Sequence, residues 1–167
     1  LDTTFGKLDI LVNNAGVALE WDGNGTSADR MRKTFEVNVI APWALTEALV
    51  PLLSRSQDAR VINQSSILGS ITICDQAWEQ MGGFFSPGYA GSKAALNMVS
   101  MIQSKSLASK NIAVAVAHPG WVKTDLGSSA APMEVEDGAK TVVGLATIAR
   151  ENFPNGAFQH LGNRLPW

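Results

Sequence analysis

One cysteine and one tyrosine stand among 167 residues, and neither sign of charge dominates. A lone thiol, Cys74, can form no internal disulfide and supplies no metal cluster, so a reducing compartment is the simplest reading. The formal net charge is −2 with no basic run, which speaks against nucleic acid or an anionic membrane surface as a partner. No apolar stretch reads as transmembrane length, and the first residues do not resemble a signal peptide. Disorder is excluded too, because hydrophobic residues make up 46% of the chain and charged residues only 17%. Without repeats or a linker, the expectation is one soluble, cytoplasmic domain long enough to bury a core. Asn24-Gly25-Thr26 and Asn63-Gln64-Ser65 then read as chance sequons, the second inside a strand pattern. There is no initiator Met. Leu1 to Lys7 reads as a helix end with a glycine stop, so the chain is expected to be part of something longer.

What is present alternates between two periods. Leu8 to Asn13 is a short apolar run closed by Asn-Asn-Ala-Gly, as expected of a buried parallel strand. Thr26-Ser27-Ala28-Asp29 offers a capping pattern for a long helix over about 28–54. Arg60 to Ser65 reads as a second strand, residues 69–86 as a loop rich in glycine and aromatics, and 87–109 as a helix. Asn111 to Ala117 is a third strand stopped by His118-Pro119-Gly120. An irregular loop over 120–133, a helix over 135–150 and a short strand over 156–161 complete the pattern. Strands alternating with helices imply right-handed crossovers and a parallel sheet covered on both faces. Ligands of such sheets lie beyond the carboxyl ends of the strands, where Asn-Asn-Ala-Gly, Ser65-Ser66 and Pro119-Gly120 all fall.

Tyr89 and Lys93 are four apart and so share one face of a helix. A nearby ammonium favours the charged form of a phenol, lowering its pKa and making it a usable acid or base. Ser66, at the end of the adjacent strand, can reach the same substrate oxygen. Alone, the Tyr-x-x-x-Lys spacing is weak, since exposed helices show it by chance. Its neighbours raise its weight: Asn13-Asn14-Ala15-Gly16, Asn38, Ser65-Ser66, Tyr89 with Lys93, and Pro119 to Thr124 occur in one order.

That set resembles the classical short-chain dehydrogenases/reductases over essentially the whole chain. Ser65 to Ser70, His118 to Asp125 and the ending Arg164-Leu165-Pro166-Trp167 look closer still to sniffer-type carbonyl reductases and C-factor-like proteins. The resemblance implies an α/β, Rossmann-like doubly wound parallel sheet, here N-terminally truncated, and hydride transfer between NADP or NAD and a small carbonyl or alcohol substrate. It implies Tyr89 as proton donor or acceptor and Ser66 as the group that orients the substrate oxygen. Lys93 would lower the Tyr89 pKa and hold the ribose, and Asn38 would place a water. Asn14, Ala15 and Gly16 would line the cofactor cleft, and Pro119, Gly120, Val122 and Thr124 would meet the nicotinamide end. NADP is favoured by resemblance alone. A homodimer or homotetramer through the long helix and the Tyr89 helix is the usual assembly. Leu45, Leu49, Leu52, Met98 and Met101 suit that or an ordinary core.

Other features keep two readings. Pro42 has no N–H for the Asn38 carbonyl, which either leaves that oxygen for a water or simply kinks the helix. Cys74, Trp78, Phe84 and Phe85 lie in a long segment that reads as a wall or lid over a bulky apolar substrate, or as a surface loop packed on itself. Cys74 reads as an inert small side chain, His118 as a strand-end residue with a satisfied ring, and Asp125 as a cap. Trp21, Trp43 and Trp121 suit either pocket or core. The strand, Gly-rich turn and helix that normally receive a pyrophosphate are not in the sequence. Two classes of function follow: an oxidoreductase, or a non-catalytic module of the same fold used for interaction or signalling.

Overall fold

The computed structural model describes residues 2–79 and 86–167. Five strands form one sheet in the order β1 (Ile10–Asn13), β2 (Ala59–Gln64), β3 (Ile112–Ala117), β4 (Phe158–His160) and β5 (Asn163–Leu165). The first four are parallel, with Val61 beside Leu11 and Val114, and β5 turns back antiparallel. The helices are α1 (Asp2–Phe5), α2 (Ala28–Leu53), α3 (Ile71–Ala77), α4 (Pro87–Ser106) and α5 (Val135–Thr147). The α/β class and the mostly parallel sheet agree with the expectation. The short α3 falls where only a loop was expected, and β5 was not anticipated.

Alternation along the central strands splits the core in two. Leu11, Ala59, Val61, Ile112 and Val114 face α2, packing with Val50, Leu53 and Leu107. Ile62, Ala113, Ala115 and Ala117 face the other way, against Leu145 of α5 and Phe153. β2 and β3 are covered on both sides, which is why they read as continuous apolar runs. Strand order advances in one direction throughout, yet α2 and α5 lie on opposite faces. The β3–α5–β4 connection therefore has the hand opposite to that of β1–α2–β2, and a uniform right-handed winding is not what the chain adopts.

Ser27 caps α2, its hydroxyl accepting from the Arg30 N–H at 3.2 Å. The helix then widens into a π turn over Glu36–Ile40, with the Ala41 N–H reaching back to the Glu36 carbonyl. Pro42 is the cause next in sequence: it has no N–H to offer Asn38, so the regular ladder cannot continue there. The 26-residue α2 holds an 18-residue window of mean hydropathy 1.2, so by length and composition alone it could cross a membrane, where the sequence reading found no such stretch. Its inner face is nonetheless committed to this domain, with Asn38, Thr46 and Leu53 fully buried against the sheet and α4.

Candidate active site

Three strand ends and one helix build the site. Beyond β1, Asn14, Ala15 and Gly16 are exposed, where the sequence reading put the floor of a cofactor cleft. Beyond β2, Ser65 and Ser66 are buried, the Ser65 N–H bonding to the Ala117 carbonyl at 2.8 Å. The Ser66 hydroxyl accepts from the Leu68 N–H at 3.2 Å and so caps the 3₁₀ turn Ile67–Gly69. That turn lies flat on α4: a Cβ on Gly69 would stand 2.6 Å from the Lys93 carbonyl carbon. Asn97 donates to the Gly69 carbonyl at 3.0 Å. Beyond β3, His118 is 8% exposed, and its Nδ1 accepts from the Ile67 N–H at 3.2 Å. The satisfied-ring reading of His118 therefore holds. His160 packs 4.8 Å away and bonds through Nδ1 to the His118 carbonyl at 2.9 Å. Burial, with His160 beside it, pushes His118 down to about 4, so it stays a neutral acceptor.

Tyr89 and Lys93 lie on the inner face of α4, 6% and 3% exposed. Ser86 caps the helix and Pro87 occupies its first turn. Ser66 lies close enough to the Tyr89 phenol to pull its pKa down. The Lys93 ammonium sits 5.7 Å from the Tyr89 ring centre and donates to the Gln64 carbonyl at 2.8 Å. Burial pushes the Tyr89 phenol up, against the smaller pull of Ser66. The expected lowering by Lys93 does not figure among the causes of this shift, which burial of the phenol dominates. Burial brings Lys93 itself down to about 8.

Asn38 is fully buried. Its Oδ1 accepts from the Val17 N–H, and its Nδ2 donates to the Val17 carbonyl and the Ser92 hydroxyl, each at 2.9 Å. Ser92 in turn donates to the Tyr89 carbonyl at 2.7 Å. A Cβ on Gly16 would lie 3.3 Å from the Lys93 ammonium and 3.4 Å from Asn38 Oδ1. The bare glycine therefore leaves a cradle over both groups, which fits the ribose of a nicotinamide nucleotide. Pro119 and Gly120 are half-buried at the rim, Val122 bridges Met133, and Thr124 is exposed. The Thr124 hydroxyl accepts from the Gly127 N–H at 3.0 Å, so Thr124 does the capping expected of Asp125.

Sequence reasoning missed Glu20, which lies buried under the first turn of α4. Its partners are 66 to 69 residues away, and no local pattern marks them. Trp21 sits on Tyr89 with ring centres 4.7 Å apart, whereas Trp43 and Trp121 are about half exposed. Leu68, Ile71, Cys74 and Trp78 line an open cleft with Ala90 and Ala94 of α4. Phe84 and Phe85 lie outside the described residues. Cys74 donates to the Leu68 carbonyl, and burial pushes its thiol up, as befits an inert side chain.

A mostly parallel sheet covered on both faces, with Ser66, Tyr89 and Lys93 gathered at its carboxyl ends, defines a class of protein. The family profile described as short chain dehydrogenase matches residues 1–135, and the chain belongs to that family. The short-chain dehydrogenase anuI of Penicillium roqueforti is 36% identical over 151 residues, 88% of this chain and 60% of the relative. The C-signal of Myxococcus xanthus is 32% identical over 164 residues, 97% of this chain and 94% of the relative. Among solved structures, the carbonyl reductase Sniffer of D. melanogaster aligns at a TM-score of 0.82 with 31% identity, over 99% of this chain and 68% of its own. The NADPH-bound carbonyl reductase from chicken fatty liver aligns at 0.77 with 30% identity, over 96% and 66%. The chain thus spans about 60% of the length of anuI and about two thirds of these reductases.

Proposed function

We propose that the protein to which this chain belongs is a nicotinamide-dependent oxidoreductase that interconverts a small carbonyl compound and its alcohol. The observation that carries the reading is the gathering of buried Ser66, Tyr89 and Lys93 at the carboxyl ends of the strands, with the Lys93 ammonium 5.7 Å from the Tyr89 ring. When bound, a nicotinamide nucleotide supplies or takes the hydride. Ser66 would hydrogen-bond the substrate oxygen and Tyr89 would give that oxygen its proton during reduction. A phenol held above its ordinary pKa stays protonated at neutral pH, which suits a proton donor. Lys93 would hold the ribose hydroxyls and stabilise the phenolate left behind, and the Asn38 carbonyl would hold a water that returns the proton.

Asn14, Ala15 and Gly16, with the rim at Pro119, Gly120, Val122 and Thr124, would take the nicotinamide end. The sequence has no Gly-rich turn for the phosphates, so the fit extends to the nicotinamide and its ribose. NADP is the nucleotide we favour, on the likeness to the NADPH-bound chicken reductase. A cytoplasmic protein pairing through the outer faces of α2 and α4, where Leu45 and Met98 are exposed, completes the reading. Leu52, by contrast, belongs to the core.

A second reading is favoured by the Myxococcus relative, whose name denotes a signal and whose length this chain nearly matches. On that reading the chain is an interaction or signalling module that turns nothing over. Titration of the purified chain with NADPH and NADH, followed by a panel of aldehydes and ketones, separates the two. Saturable nucleotide binding with consumption on at least one substrate is expected. Binding and turnover that appear only once the rest of the parent protein is added still support the oxidoreductase; neither, even then, leaves the signalling module.

A further inference from the structure

A buried carboxylate is costly unless donors surround it. Glu20 is 7% exposed, yet its oxygens meet three donors, the Gly88 N–H at 2.9 Å, the Tyr89 N–H at 2.9 Å and the Ser86 hydroxyl, with a weaker pull from the nearby Thr26 hydroxyl. Burial pushes its pKa up, but these hydrogen bonds together pull it below the ordinary value, so it is ionised at neutral pH. Two of the donors are N–H groups that every helix leaves unpaired at its start, and they lie at the positive end of the 20-residue α4. The guanidinium of Arg30 feels the Glu20 charge but is hydrogen-bonded to Asp22 and the Leu19 carbonyl.

The fit is close. A Cβ on Gly88 would stand 2.5 Å from Oε2 and 2.7 Å from Oε1, so the carboxylate fills the space that a side chain there would need. The next residue, Trp21, lies on the Tyr89 ring at 4.7 Å with the planes tilted by 50°. Two consecutive loop residues thus hold the backbone and the ring of the same tyrosine, from a segment that follows directly on Asn14–Gly16.

We propose that Glu20 is a positioning residue for Tyr89: its carboxylate anchors the first turn of α4 and, with Trp21, fixes where the phenol hydroxyl stands relative to Ser66 and Lys93. The proposal rests on the reading of Tyr89 as the proton donor, but its test does not need turnover. Tyr89 is the only tyrosine, so the full chain labelled with ¹³C at the tyrosine ζ carbon gives one resonance, displaced from that of free tyrosine by its surroundings. In Glu20→Gln the amide presents donors where two N–H groups need acceptors, and the resonance is expected to move most of the way to the free value. Where turnover is measurable, kcat is expected to fall about 10²-fold with KM within about twofold, as for a misplaced catalytic group. Ser86→Ala and Thr26→Ala each remove one donor while keeping the charge, and each should give a smaller displacement in the same direction. A folded Glu20→Gln chain with an unmoved resonance overturns the proposal. Should that variant not fold, an unmoved resonance in both alanine variants does the same. Retained turnover in Tyr89→Phe would instead overturn the proton-donor reading, whatever the resonance does.

Discussion

A methyl group added at Gly69 asks whether the turn that carries Ser66 is truly pressed against the helix that carries Lys93. The new Cβ would stand 2.6 Å from the Lys93 carbonyl carbon, 2.8 Å from Lys93 Cβ and 2.9 Å from the Ala94 nitrogen. Comfortable contact begins at about 3.5 Å, and these atoms are mostly helix backbone that has no rotamer to yield. Either the turn recedes by roughly 1 Å or α4 does, at an overpacking cost of about 1–3 kcal/mol. Receding also weakens the 3.0 Å bond from Asn97 to the Gly69 carbonyl, worth about 1 kcal/mol. Together these lower the melting temperature by roughly 5–15 °C for a domain of this size. Gly144→Ala is the matched control: it lies exposed within α5 with no atom within 4 Å of the added Cβ. A helix gains about 0.5–1 kcal/mol from that exchange, so this variant should melt about 1–4 °C higher. Thermal unfolding followed by circular dichroism reads both. A Gly69→Ala chain that melts with the parent refutes the contact, and a loss of equal size in Gly144→Ala refutes the reasoning from space.

Further expectations concern single groups. His118 is held down to about 4, so the folded chain binds fewer protons than the unfolded one between pH 6.5 and 4; stability should fall as pH drops through that window, and less steeply in His118→Asn. Glu20 has the opposite chemistry but the same direction: its stabilisation is present above the ordinary carboxylate pKa and is lost as pH falls through its lowered value, so acid unfolding of Glu20→Gln should be the flatter. Arg60 has a side chain 3% exposed that bonds Asp58 and the Leu145 and Ala146 carbonyls at the end of α5; Arg60→Met should cost about 2–4 kcal/mol in a denaturant titration, and a neutral result would contradict its role. Cys74 should react with a disulfide reagent at mildly alkaline pH more slowly than a free thiol, and at the free rate once unfolded.

β2, β3 and the long helices were legible because burial on both faces leaves the two strands as continuous apolar runs, and because Ser27 offers a cap. Tyr89, Lys93 and Ser66 were legible through the family resemblance of the whole motif order more than through the Tyr-x-x-x-Lys spacing alone, and the fold brings Lys93 and Tyr89 together. What escaped was non-local or short. α3 is seven residues inside a glycine-rich segment, and β5 is three residues paired only with β4. The hand of the last crossover depends on which face α5 chooses, which no local pattern encodes. Glu20 escaped because a cap supplied from across the molecule leaves no mark on the helix it caps. The direction of the Tyr89 shift escaped because spacing does not show the burial that dominates it.

The claim at the centre is that Tyr89 moves the substrate proton. Tyr89→Phe removes one oxygen and keeps the ring against Trp21, so it leaves the packing in place. Consumption of NADPH with an aldehyde or ketone that the parent chain accepts should fall by about 10²–10⁴-fold, the range of a positioned acid or base. Turnover of Tyr89→Phe at the parent rate would contradict the account.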